Sequence, residues 1–415
     1  MYTMLSVIDC DARPGTSMTF QGFARADGTV GIRNVLLVLP VGQCANELAL
    51  GCACEIREAF PLLHTQPCAH LGEDNEAAQR CLVGLGRHAN AAAVLVLGIG
   101  CDALSAERIA GQIALSGKPV KYLTVEACGS WDAVITQGRA WLTDQSHDMK
   151  HQLRTEFDLS SLVLGVKCGG SDATSALAGN PAIGRAVDRL LDARGTVIFS
   201  ETTELIGAEH LLMERATTDE TRHRIQHAIC QTEQRIRATG VDPRGIQPTP
   251  GNIRGGLTTL EEKSLGGILK TGNRPIASVI DWGEAPQLPG LHMMDCPANV
   301  PQLILGWAAA GAQLLVFSVG GGLPARIPSL IASNVGSFPL MPIIKVLSNP
   351  QDALVQGYFD VYCGSVLEGQ ETLEMAGARI WDKVVSTACG TSTFLETYPA
   401  PSFQMWEMLV RGPTV

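Results

Sequence analysis

Short apolar runs alternate with amphipathic stretches along most of this chain. Val35-Leu-Leu-Val-Leu-Pro40 and Ala91-Ala-Ala-Val-Leu-Val-Leu-Gly98 are continuous and end in turn residues, the signature of strands buried on both faces. Between and after them, 46–58 and 105–116 read as helices, and Val120-Lys-Tyr-Leu-Thr124 as a third strand. A long helix over 131–154 closes this unit. A second series begins with the strand 161–167, followed by a helix over 181–194 and a strand over 195–200. A polar helix over 219–239 and an irregular Pro/Gly-rich segment over 242–257 follow. Three more strands are expected at 276–280, 313–318 and 342–346, with a helix over 297–310.

Strand and helix in alternation predict an α/β fold, with Rossmann-like parallel sheets in two or more lobes. The expected organisation is a leader at 1–19, an N-terminal α/β domain at 20–155 and a C-terminal α/β domain at 156–415, with a subdivision near 250. Ligands of open parallel sheets bind beyond the carboxyl ends of the strands. Polar clusters fall at those ends repeatedly: 40–44, 98–102, 167–172, 200–204, 281–284, 318–322 and 345–349. Their convergence places the site at the strand C-terminal rim.

Composition narrows the function. The chain has 415 residues, 46% hydrophobic and 17% charged, which suits a folded core rather than disorder. Its net charge of −10, without a Lys/Arg run, argues against nucleic acid and against an anionic membrane surface. No apolar stretch is long enough for a membrane span. Thirteen scattered cysteines and no secretory signal point to a reducing, cytoplasmic setting. Most of those thiols, Cys101 and Cys128 after predicted strands included, read as small buried residues.

Several clusters carry candidate chemistry. In Lys167-Cys-Gly-Gly-Ser-Asp172 the glycines permit close backbone approach, Cys168 is a candidate thiolate ligand, and Ser171 and Asp172 offer polar contacts. The same segment is equally a tight turn with a helix cap. Glu201, Glu204, Glu209 and His210 crowd the segment after the strand 195–200, as a hard divalent cation would require. Acidic residues in a first helical turn are also favoured by the helix dipole. His64-Thr-Gln-Pro-Cys-Ala-His70 offers a metal ligand or a general acid/base. Asn252, Arg254 and Lys263 lie in or after a Gly-rich loop that leads into a helix start, a ready anion site. A dinucleotide-dependent dehydrogenase is disfavoured because Gly-x-Gly-x-x-Gly is absent at a strand–helix junction.

These motifs, in this order, resemble the altronate/galactarate dehydratase family, which includes sulfolactate sulfo-lyase large subunits. The resemblance rests on Gly22–Asn34, Gly98-Ile-Gly-Cys101, Cys168–Ala173 with Asn180-Pro-Ala182, Ser200-Glu-Thr-Thr-Glu204 and, above all, Pro250–Gly266. It implies a metal-dependent hydro-lyase that converts a small anionic hydroxy acid to a 2-keto-3-deoxy acid. It also implies a divalent cofactor, Fe2+ or Mn2+. A small N-terminal domain that often precedes this region is absent here, which implies a small partner subunit; a homo-oligomer is expected as well. Under that reading Cys168, Glu201, Glu204 and His64 are the metal ligands, and His64, Lys263 and Glu201 the catalytic candidates. Arg25, Asn34, Ser171, Asp172, Asn252, Arg254, Lys345 and Asn349 are the candidate substrate contacts. A carbon–sulfur lyase releasing sulfite and a non-catalytic ligand-binding subunit stand as the alternatives.

Overall fold

Among the described residues eleven of the fourteen strands pair in parallel, as continuous apolar runs require when both faces are covered. The computed structural model describes residues 19–321, 337–350, 357–397 and 405–412. The expected leader, apart from Thr19, and residue 322 of the 318–322 cluster lie outside them.

One parallel sheet has four strands in the order β4 (Ala59–Pro61), β3 (Val35–Pro40), β5 (Ala91–Gly98), β6 (Val120–Thr124). The larger has seven, in the order β10 (Ile276–Ile280), β11 (Gly290–Met294), β9 (Thr196–Phe199), β8 (Val163–Gly169), β12 (Leu314–Val319), β13 (Ile343–Leu347), β14 (Val361–Tyr362). Every adjacent pair in it is parallel. A small antiparallel sheet was not foreseen: β1 (Thr19–Ala24) pairs with β2 (Val30–Gly31) and with β7 (Thr155–Asp158). The fold is thus α/β with parallel sheets. The long helix ends at Met149 rather than Arg154, because residues 155–158 are taken by β7.

The two large sheets share a core. Helix Gly72–Arg87 of the first lobe packs against helix Val300–Ala309 of the second, and a Cβ on Gly84 would stand 2.3 Å from the Ala309 carbonyl. Only glycine allows that approach. Trp282, Trp307 and Phe317 fill the same apolar cluster as Leu37, Val94 and Leu82. Among the described residues no helix is long and apolar enough to cross a membrane.

Two histidines are structural parts of the first lobe. His64 Nε2 donates to the Pro40 carbonyl at 2.7 Å, and its Nδ1 accepts from the Gln66 N–H at 3.2 Å. His88 repeats the arrangement with the Ala312 carbonyl at 2.9 Å and the Asn90 N–H at 3.0 Å. These partners assign a neutral ring to each. Burial drives the His64 pKa down to about 4 and that of His88 to about 3, despite the backbone bonds that oppose it. As pH falls below the ordinary histidine value, the unfolded chain takes up protons that the folded rings refuse. Stability is therefore whole above about pH 6.5 and is lost on acidification toward pH 4, by on the order of 2 kcal/mol per ring at about pH 5. Urea unfolding near neutrality and near pH 5 will show this as a lower midpoint. His88→Phe should reduce the pH dependence, whatever it does to absolute stability.

Candidate active site

Strand β8 is buried along nearly its whole length, yet it carries a lysine. Lys167 is 2% exposed and Glu201, just past the end of β9, is fully buried. Burying either charge alone is prohibitive, so each needs a partner. Lys167 Nζ lies 2.5 Å from Glu201 Oε1, and Lys270 Nζ, equally buried, lies 2.8 Å from Oε2. The two amines also donate to the Cys168 and Gly267 carbonyls, both at 2.9 Å. Burial alone would lower the Lys167 amine, but Glu201 and Glu204 hold it above its ordinary value. Burial alone would raise the Glu201 carboxyl, but Lys167 and Lys270 hold it below the usual range. Glu201 adopts left-handed backbone angles, φ 77° and ψ 46°, a conformation costly for a residue with a Cβ.

A second ion pair stands at the mouth of this core. Lys263 Nζ lies 2.8 Å from Glu204 Oε1 and donates to Gln247 Oε1 at 2.9 Å and Asn252 Oδ1 at 3.2 Å. These acceptors hold the amine at the cavity edge. Thr249 and Asn252 form a reciprocal cap at the start of helix Pro250–Arg254, and Asn252 Nδ2 reaches the Ser171 carbonyl at 2.7 Å. The Gly-rich segment 249–256 is thereby docked onto the loop after β8.

Between these groups is a cavity of about 260 Å³, at the carboxyl ends of β8, β9 and β12. Lys167, Cys168, Ser171, Glu204, Asn252 and Lys263 line it, with Gln247, Thr249, Val300 and Phe317 among the remainder. Three ammonium groups (Lys167, Lys263, Lys270) against two carboxylates (Glu201, Glu204) leave one net positive charge beside it. The space suits a small organic anion.

The other candidates fall elsewhere. Arg25 follows β1 and Asn34 directly precedes β3, at the amino end of that strand. Arg25 bonds the Ala89 carbonyl at 2.6 Å and Asn34 Oδ1 at 2.7 Å, so both serve to knit the first lobe. His64 is no ligand or base, since both ring nitrogens are engaged by backbone. Asp172 caps its own loop, accepting from Thr174 Oγ1 at 2.7 Å and the Ser175 N–H at 2.8 Å. Arg254 is exposed and outside the cavity lining. Lys345 lies within β13, its amine pushed down to about 8 by burial and partly restored by Asp360; it does not line the cavity. Asn349 follows β13 on the rim, also outside the lining. His210 is exposed, and Glu209 accepts from the Gly207 N–H at 2.6 Å.

The expected metal centre does not fit its proposed ligands. Glu201 and Glu204 are already paired with lysines. Cys168 Sγ is held by Ser171 Oγ at 3.0 Å and Asn180 Nδ2 at 3.4 Å. A dication there would face three ammonium groups. Among the described residues no three His, Cys, Asp or Glu groups sit together as a ligand set for one ion.

Parallel sheets with a small cationic cavity at their carboxyl rim define an α/β protein with a candidate site for a small anion. The chain belongs to the D-galactarate/altronate dehydratase family. Residues 22–150 match the second domain of D-galactarate dehydratase/altronate hydrolase, and residues 159–411 match the C-terminal domain of D-galactarate/altronate dehydratase. The (2R)-sulfolactate sulfo-lyase subunit beta of Chromohalobacter salexigens is 35% identical, over 91% of this chain and 94% of that protein. Altronate dehydratase of Bacillus subtilis is 32% identical over 85% and 70%, and that of Escherichia coli 31% over 90% and 74%.

Proposed function

We propose that this protein is a lyase that eliminates a group β to the carboxylate of a small hydroxy acid. The leaving group is hydroxide in the main reading, which makes it a hydro-lyase forming a 2-keto-3-deoxy acid from a sugar acid. The observation that carries this is the rim cavity, with two lysine ammonium groups and one carboxylate facing the same small space.

Elimination begins with loss of a weakly acidic proton next to a carboxylate. Lys167 and Lys263 would bind that carboxylate and stabilise the charge that builds on it as the carbon acid ionises, an electrostatic role set before substrate arrives. Glu204, in the same lining, would accept the proton. Ser171 and Asn252 would orient the hydroxyls. Glu201 and Lys270 lie behind this layer and position Lys167.

A second reading has sulfite as leaving group. It is favoured by coverage: this chain spans 94% of the sulfo-lyase subunit but 70–74% of the two altronate dehydratases. That relative's designation as a subunit supports a small partner subunit here. Purified protein, with and without a candidate small subunit, should be offered altronate, galactarate and sulfolactate while 2-keto acid and sulfite are assayed. Keto acid without sulfite is expected. Sulfite release would select the second reading, and no product under every condition would leave only the ligand-binding alternative.

A further inference from the structure

The first lobe has its own carboxyl rim, and three thiols gather there. Strands β4, β3 and β5 are adjacent and parallel, so their following loops lie side by side. Each supplies one exposed cysteine: Cys68 after β4, Cys44 after β3, Cys101 after β5. The loops are tied by backbone bonds, Gln43 N–H to the Gln66 carbonyl at 2.7 Å and Ala103 N–H to the Cys68 carbonyl at 3.0 Å. Asp102 Oδ2 accepts from the Ile99 N–H at 2.8 Å and pins the third loop. A Cβ on Gly42 would stand 2.8 Å from Asp102 Oδ1, so glycine is what lets the first loop close on the third. Cys68 holds the Cys44 thiol above its ordinary value, and Asp102 and Cys101 add to the effect.

The same loops hold polar atoms that lack partners. Gln66 is wholly buried and both its amide atoms are without a hydrogen bond. His70 is 5% exposed and both its ring nitrogens are likewise unmatched, as is Asp102 Oδ1. Native folds satisfy nearly all such groups, and each one left over is destabilising. Their concentration around three exposed thiols marks a place built for a ligand.

We propose that Cys44, Cys68 and Cys101 bind an iron–sulfur cluster through three thiolates, leaving one iron without a cysteine. Thiolate sets select soft centres such as zinc, copper(I) and iron–sulfur clusters. One zinc ion needs its sulfurs about 2.3 Å from a single point, and no three such groups among the described residues are gathered that tightly. A cluster spans more widely, because each cysteine binds a different iron. The iron without a thiolate is a Lewis acid open to a hydroxy acid. The tail links this rim to the cavity: Trp406 N–H donates to the Leu63 carbonyl at 2.8 Å, and Glu407 accepts from Asn299 at 2.9 Å, between the cavity-lining Ala298 and Val300. Use of the cluster in elimination rests on the lyase reading; its presence does not.

The test is anaerobic purification of the full chain, followed by reconstitution with iron and sulfide. Iron and acid-labile sulfide should be retained in equal amounts with a broad visible absorption band. Cys44→Ser, Cys68→Ser and Cys101→Ser should each lose them with an unchanged thermal melt, while Cys230→Ser, another exposed cysteine, retains them. Zinc without sulfide, a Cys44–Cys68 disulfide, or retention of the cluster in all three variants would overturn the proposal. A cluster that binds in a protein inactive on all the acids above would instead overturn only the lyase reading.

Discussion

Glu201→Ala is expected to unfold the second lobe rather than merely silence it. The substitution removes the carboxylate that pairs both Lys167 and Lys270, which stay buried at 2% and 1% exposure. Breaking a buried pair from one side costs about 3–5 kcal/mol, a large share of a domain's whole stability. Glu201→Gln keeps the shape and loses the charge, so it separates packing from electrostatics. In both variants the lysines gain by shedding protons when folded, so stability should rise as pH rises toward the ordinary lysine value. The wild type behaves oppositely. The depressed Glu201 carboxyl contributes stability that is complete above its unfolded value and lost as pH falls through the folded one. The raised Lys167 amine contributes stability that is complete below its unfolded value and lost as pH rises through the folded one. Denaturant titrations of the three proteins across pH will show the reversal. Equal pH profiles would mean that the triad is not charged as drawn.

Lys263→Met should do the reverse: keep the fold and stop the reaction. Lys263 lines the cavity, and its partner Glu204 is partly solvated, with 14% of its side chain exposed. Removing one preorganised donor to developing negative charge typically costs 10²–10³ in kcat, and that range is expected here, with a melt close to wild type. A larger effect on KM than on kcat would instead make Lys263 a ground-state carboxylate anchor. Unchanged turnover would remove it from the reaction.

How much of this was written in the sequence depends on which face of each element is covered. Strands β3, β5 and β12 were legible because strands buried on both sides must be continuously apolar. Strand β11, Gly290-Leu-His-Met-Met294, was not, since it follows a Pro/Gly-rich turn and carries no β-branched residue. The antiparallel β1–β7 pair escaped because its partners are more than 130 residues apart. Glu204, Ser171 and Cys168, from strand-end clusters, and Asn252 and Lys263, from the Gly-rich loop, come together along one cavity. Lys270 stands in no polar cluster of the sequence and Lys167 borders a turn there, although a lysine inside Val163-Leu-Gly-Val-Lys-Cys-Gly169 cannot reach water from a central strand. That interruption was the available signal. Arg25 and Asn34 lie away from the cavity because their motif knits the first lobe, and His64 because both its ring nitrogens serve the backbone. For the thiols, the expectation of burial fails at Cys44, Cys54, Cys68, Cys101 and Cys230, and only the order of strands β4, β3 and β5 brings Cys44, Cys68 and Cys101 together.

The left-handed backbone at Glu201 bears on how this protein can change. A non-glycine residue held there costs on the order of 1–3 kcal/mol, and glycine would relieve that strain. Yet glycine would strand two lysines, so the nearest stabilising step by local geometry is closed by charge. Directed evolution for heat resistance should therefore find its gains on the helices and the outer loops, while position 201 stays fixed. A library that does accept changes there should recover them only with compensating substitutions at Lys167 and Lys270, so that the three positions vary as one unit.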